Sequence, residues 1–252
     1  MLIKLDRGLE SWDLDLRSSR KSDRTRETYR LAVEQLADWM KNESRSVEVG
    51  EITRDDLRAF ILYVLEDRTP ATAKQRHSSL AVFFRWLIEE GEIEINPMIG
   101  VKPPKVPERP IPVVSQRQFD ILIEDCDGSF LGRRDEAIVR LLWDCGLTVS
   151  ELVGLKVDDI SLSEDVAWVM GKGEKERRAP FTVSTARALD RYIRIRGKLP
   201  HFILPDLWLG ERGPIQKSGI EQMLRRRSQR LGIGHISPHQ FRHGAADRFL
   251  RS

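Results

Sequence analysis

Cys145-Gly146-Leu147-Thr148-Val149-Ser150-Glu151-Leu152-Val153-Gly154-Leu155 is the stretch on which the reading of this chain turns. Just upstream, Asp135 to Asp144 carries Ile138, Leu141 and Leu142 at helical spacing, so Gly146 is placed to end that helix. Val149 to Leu155 then reads as a short second helix. A helix end, a tight turn and a new helix are all that periodicity predicts here.

Downstream, Val166 to Met170 is apolar, Gly171-Lys172-Gly173-Glu174-Lys175 is turn-like, and Arg177 to Val183 resumes an extended pattern, which predicts strand, turn, strand. Lys172, Lys175 and Arg177 project cations from that tip. It is not a nucleotide-binding P-loop, which needs a helix next and a Ser or Thr after the lysine. Helices are predicted around Ser184 to Arg196 and Ile215 to Leu231. A last one opens at Ser237-Pro238-His239-Gln240-Phe241-Arg242, with Ser as N-cap and Pro at the first helical position. His239 and Arg242 are three apart and share a face. A planar guanidinium and a group that exchanges a proton near neutral pH suit a phosphate in reaction. Alone, the pair also describes an ordinary helix surface.

Taken in order, these three stretches resemble the tyrosine recombinase (phage integrase, Xer-like) family. That family's first box reads Gly-Leu-Arg-x-Ser-Glu-Leu-x-x-Leu, its hairpin Gly-Lys-Gly-x-Lys-x-Arg, and its second box His-x-x-Arg. The resemblance extends to Thr28-Tyr29 with Trp39 and to Lys74-Gln75-Arg76 through Phe83-Phe84-Arg85-Trp86-Leu87, similar to the family's core-binding domain. It implies a mainly α fold with a small β-hairpin or sheet: an N-terminal helical, SAM-like core-binding domain and a catalytic domain. It also implies that Lys172 is a general acid toward the leaving 5′ oxygen, that His239 assists proton transfer, that Arg242 stabilises charge on the scissile phosphate, and that Glu151 supports the first box. Thr148 stands where the family has its first catalytic arginine. A hydroxyl replaces a charged fork of five donors. The only tyrosines are Tyr29, Tyr63 and Tyr192, none at the nucleophile's place, and the chain stops ten residues after Arg242. The expectation is a domain truncated before its nucleophile and unable to cleave DNA.

The first 98 residues are patterned as helices. Leu31, Leu36, Trp39 and Met40 are expected near one face, Thr53 and Thr69-Pro70 open two more helices, and Gly91 closes the last. Six prolines between Pro97 and Pro112, interspersed with Lys102, Lys105 and Arg109, predict an extended cationic linker. The expected domains are therefore 1–98, linker 99–112 and 113–252. The chain of 252 residues has a formal net charge of only +3, so any polyanion site must come from local sorting. Duplex DNA is the expected partner, with other recombinase protomers assembled on it. Candidate contacts are Arg24 and Arg26 in the run from Arg17 to Arg30, Lys74, Arg76 and Arg85 on one helix, Lys102 and Lys105 in the linker, and Lys175 and Arg177 on the hairpin. Arg225-Arg226-Arg227 with Arg230 is a further basic patch. No metal-ligand spacing stands out, and no cofactor is expected. Two cysteines give no disulfide framework, no apolar run approaches a membrane span, and the first residues lack a signal-peptide core, so a cytoplasmic, nucleoid-associated protein is expected. A regulator that occupies DNA without cutting it, and a phosphodiester hydrolase using His239 and Lys172, are the competing readings.

Overall fold

The computed structural model describes residues 3–107, 110, 112–171, 175–198, 203–210 and 212–251, with the side chains of residues 247 and 249–251 left aside. The chain divides into two compact units, Met1–Arg109 and Pro110–Ser252.

The first unit is four helices: α1 (Leu5–Ser18), α2 (Asp23–Asn42), α3 (Arg54–Asp67) and α4 (Pro70–Glu89). Each of the last three begins at a hydroxyl cap. Ser22 accepts from the Thr25 N–H, Thr69 from the Thr72 N–H ahead of a first-turn proline, and Thr53 forms a reciprocal box with Asp56. Such caps satisfy amides that the helix start leaves without partners. The apolar stripes meet in one core, where Trp12 stacks on Tyr29 at 5.1 Å and touches Phe83 at the same centroid distance. Leu36, Met40, Leu57, Phe60, Leu80 and Phe84 fill the rest. Leu31, expected on the apolar face, is 41% exposed instead. The proline-rich segment also starts later than its composition implies. Met98 and Val101 belong to this core, and the Val101 carbonyl bonds His77 Nε2 at 2.8 Å.

The second unit contains α5 (Gln116–Glu124), α6 (Phe130–Cys145), α7 (Val149–Gly154), β1 (Ile160–Ser161), β2 (Val166–Met170), β3 (Glu176–Pro180), α8 (Val183–Arg196), β4 (Leu209–Gly210), β5 (Gly213–Pro214), α9 (Lys217–Arg230) and α10 (Pro238–Arg251). α6 is its axis: Ala137, Ile138, Val139, Leu141 and Leu142 are all buried, and α5, α8 and α10 pack around it. β1, β2 and β3 form an antiparallel sheet in which Val169 opposes Arg177 and Trp168 opposes Arg178. Side chains alternate along a strand, so Arg177 shares the inward face with buried Ala179 while Arg178 covers Trp168 from outside. β3 ends at Pro180 rather than running on to Val183, because Thr182 caps α8 and its N–H and hydroxyl both bond the Asp144 carboxylate at 2.8 Å.

Two devices lock α7 and α9 onto this frame. Trp208 Nε1 donates to the Leu152 carbonyl at 2.8 Å, tying α7 to the segment before β4, while Tyr192 stacks on Trp208 at 5.4 Å. On α6, the Asp135 carboxylate receives Arg134 on one oxygen (2.9 and 2.7 Å) and Arg227 of α9 on the other (3.1 and 2.9 Å). Asp125 receives both Arg227 and Arg230. Arg227 thus serves the interior of the unit, while Arg225, Arg226 and Arg230 are the exposed members of the expected basic patch, Arg230 paired with Asp125.

Candidate phosphate site of the second unit

The site is assembled around the break between α6 and α7. Gly146 ends α6 in the left-handed conformation, at φ 56°, with its N–H bonded to the Leu142 carbonyl. A side chain there would be strained, and a Cβ would come within 2.7 Å of the Ala245 methyl on α10. Glycine therefore allows α10 to lie close over the end of α6. Phe241, fully buried and edge-on to Trp143, anchors α10 and turns His239 and Arg242 outward. The start of α10 is held by Gln240, whose side-chain oxygen accepts the Ser237 N–H at 2.9 Å.

Thr148 is the N-cap of α7. Its hydroxyl accepts the Glu151 N–H at 3.1 Å, and Glu151 Oε2 accepts the Thr148 N–H at 2.7 Å. A threonine at this place is thus explained locally by a complete capping box, which arginine could not make. The same Glu151 carboxylate faces two cations: Arg242 Nη1 at 3.4 Å and, through its other oxygen, Arg177 Nη2 at 3.4 Å. Arg242 Nη1 also donates to the Gly146 carbonyl at 3.2 Å. One buried carboxylate thereby orients an arginine from α10, an arginine from β3 and the first turn of α7.

Burial pushes the Glu151 carboxyl up, but the Thr148 N–H, the Arg177 charge and the hydroxyl and guanidinium bonds outweigh it and hold it below its ordinary value of 4.5. A depressed folded value adds stability above the ordinary value that is lost as pH falls through the folded one. Glu151→Gln is therefore expected to lower the melting temperature at neutral pH while flattening its decline below about pH 4.5. Parallel melting-temperature profiles for parent and variant would count against this role.

Two open clefts flank the carboxylate. One, of about 580 Å³, lies between Thr148, Ser218, Gln222 and Arg225 on one side and His235, His239 and Arg242 on the other. The second, of about 660 Å³, runs past Glu151 to Lys156, Trp168 and Glu176. Thr148 and Arg242 line both and form the ridge between them. The structure thus brings together Thr148, Glu151, Arg177, His239 and Arg242, from three separate stretches of sequence. Lys175 is exposed at the hairpin, where its carbonyl accepts the Gly171 N–H at 2.8 Å. Lys172 lies outside the described residues. Nothing in the local pattern marks Ser218, Gln222 or His235; the approach of α9 to α7 places the first two here, and the connection from α9 to α10 brings in His235.

Among the first unit's candidates, Arg24, Lys74, Arg85, Lys102 and Lys105 are exposed. Two others need correction. Arg76 is only 6% exposed and donates to Gln35 at 2.6 Å, so it packs α4 against α2 and is not a surface cation for a phosphate. Arg26 is half-buried in a two-point pair with Asp13 at 2.8 and 2.7 Å and also reaches Asp23. The basic run is further paired by Arg24–Glu27 and Arg30–Glu34, as on a solvated helix face.

A four-helix N-terminal unit thus precedes a mainly helical unit with a small antiparallel sheet, whose Glu151 pairs with both Arg177 and Arg242. Residues 112–252 match the phage integrase family, and residues 9–92 match the phage integrase N-terminal SAM-like domain. The chain belongs to the tyrosine recombinase (phage integrase) family. It is 33% identical over 230 residues to the tyrosine recombinase XerC of Herpetosiphon aurantiacus, covering 88% of this chain and 74% of that protein. It is 31% identical over 239 residues to the tyrosine recombinase XerD of Proteus mirabilis, covering 91% and 75%. Among solved structures it is similar to the XerA recombinase (26% identity, TM-score 0.52, 98% of this chain and 85% of that one). It shares its fold with a lambda integrase tetramer bound to a Holliday junction (17% identity, TM-score 0.76, 99% and 74%). Among the described residues no helix is long and apolar enough to cross a membrane.

Proposed function

We propose that this chain binds duplex DNA at a site of recombination, in company with other protomers, and that the second unit holds a backbone phosphate without cutting beside it. The observation that carries this reading is the Glu151 carboxylate, which pairs with Arg177 and holds Arg242, an arginine that lines a cleft together with His239. A guanidinium oriented by a carboxylate offers preset donors to an oxyanion at little further ordering cost. His239 supplies a further donor on the same helix face. In sequence, Lys172 matches the lysine that in the family protonates the leaving oxygen. A soluble location with the nucleoid follows from this substrate.

Cleavage is disfavoured by chemistry within these residues. The Thr148 hydroxyl is engaged at the α7 cap, so the first arginine's position contributes no charge to the phosphate. Losing one such oxyanion donor lowers rates by about 10²–10³-fold. Tyr192 cannot serve as nucleophile: its hydroxyl donates to the Leu207 carbonyl and accepts the Leu209 N–H, and burial pushes its pKa up to about 12. Tyr29 is stacked on Trp12, and Tyr63 packs beside Trp39 and Phe60, both in the first unit.

The test is duplex binding followed by fluorescence anisotropy across a salt series. Each phosphate neutralised contributes roughly 0.9 to the slope of log affinity against log salt. Arg242→Gln is expected to weaken binding and reduce the slope by about that amount, and Thr148→Arg to strengthen binding and raise the slope by the same increment. No duplex binding at low salt would overturn the proposal, as would slopes identical in all three proteins.

A further inference from the structure

His239 and His243 lie four residues apart on α10, and their Nε2 atoms are 2.8 Å apart with the rings at 88°. The spacing puts both rings on one helical face. Phe241, between them in sequence and fully buried, holds that face outward. As a hydrogen-bonded pair, one Nε2 donates and the other accepts; with both rings protonated on Nδ1 instead, both Nε2 atoms become available as ligands.

Metal–imidazole bonds of about 2.0–2.1 Å place two nitrogens about 2.9 Å apart when they subtend a right angle and about 3.4 Å apart at a tetrahedral angle. At 2.8 Å the pair reaches the right-angle value with little movement, the geometry of square-planar or tetragonal ions, which with nitrogen and oxygen ligands means Cu²⁺ or Ni²⁺. His239 is exposed and opens onto the 580 Å³ cleft, which has room for the water molecules completing such a shell. Arg242 lines the same cleft, with its Nη1 held by Glu151 and the Gly146 carbonyl. Among the described residues no group of three or more His, Cys, Asp or Glu side chains is arranged for a metal, so the protein would supply two ligands and binding would be reversible.

We propose that His239 and His243 form a two-point site for a divalent transition ion of right-angle preference, and that an ion bound there withdraws His239 from DNA. The second clause rests on the phosphate role given to His239 above; the first does not. The His-x-x-x-His spacing is visible in the sequence, but only the folded helix brings the two nitrogens to 2.8 Å.

The test uses the full chain without a histidine tag and Ni²⁺ as the probe, titrated calorimetrically with no DNA present. One equivalent is expected to bind. His239→Ala and His243→Ala should each weaken it about 10²-fold, the loss of a second point of attachment. His235→Ala, in the same cleft but outside the pair, should leave it unchanged. Cys126 and Cys145 are poor competitors, because burial pushes both thiols up to about 12. Circular dichroism and metal-free melting of the variants establish that the fold is intact. Affinity unchanged in His243→Ala, or no binding by the parent, would overturn the site. In a second arm, Ni²⁺ should weaken duplex binding by the parent and not by His243→Ala; bound nickel with undiminished duplex affinity would overturn the withdrawal of His239. A parent that binds nickel and never binds duplex would refute the proposed function and leave the chelate standing.

Discussion

Replacing Asp135 by alanine is expected to destabilise the second unit by about 3–5 kcal/mol, the cost of leaving buried charge uncompensated. Asp135 is 4% exposed and is the common acceptor for Arg134 and Arg227. Without it Arg134 keeps its bond to the Leu209 carbonyl and Arg227 its pair with Asp125, but neither retains a carboxylate matched to its whole fork. For a unit of this size the loss corresponds to a fall in melting temperature of roughly 10 °C or more. The gross Coulomb attraction does not set this figure, since bringing three charged groups out of water offsets most of it. Replacing Arg134, Asp135 and Arg227 together by apolar residues of similar volume should therefore cost less than Asp135→Ala alone. Denaturant unfolding of the full chain measures both. A single-variant effect below about 1 kcal/mol would mean that the freed guanidinium groups regain water, and the network would not be the lock between α6 and α9 described above.

The second large effect is expected at Gly146, and it couples stability to the site. Gly146→Val places a branched side chain at φ 56° and drives its Cβ into Ala245. The left-handed backbone costs roughly 1–2 kcal/mol and the overpacking about 1–3 more. Because α10 carries His239 and Arg242, any relief by displacing that helix also moves Arg242 from the Gly146 carbonyl and Glu151. Duplex affinity should fall together with stability. Ala245→Gly separates the two terms: in that background the variant should retain only the backbone cost and recover much of its affinity. Equal losses in both backgrounds would show that contact with α10 is not what the glycine protects.

Much of this was legible before folding. Thr53 and Thr69 announce helix starts because capping is local: the hydroxyl and the amide it satisfies are three residues apart. Gly146 reads as a helix end for the same reason, and His239 and Arg242 as neighbours because helical geometry alone puts them on one face. The misreadings have the opposite character. Arg76 and Arg227 look like surface cations in sequence, yet their partners Gln35 and Asp135 are 41 and 92 residues away. Val101 lies within the proline-bearing stretch but packs into the core of the first unit.

The sequence by itself therefore determined the helical elements, the order of the three boxes, the family, and the substitution of threonine at position 148. All of these depend on residue identity and on interactions spanning three or four positions. Only the tertiary structure decided which cations are available. Whether an arginine faces solvent or a buried carboxylate depends on a partner brought from a distant helix, and burial changes the energy of a charge by more than any local propensity. It also decided that Thr148 caps a helix while Glu151 gathers Arg177 and Arg242, because that gathering requires β3, α7 and α10 to meet at one carboxylate.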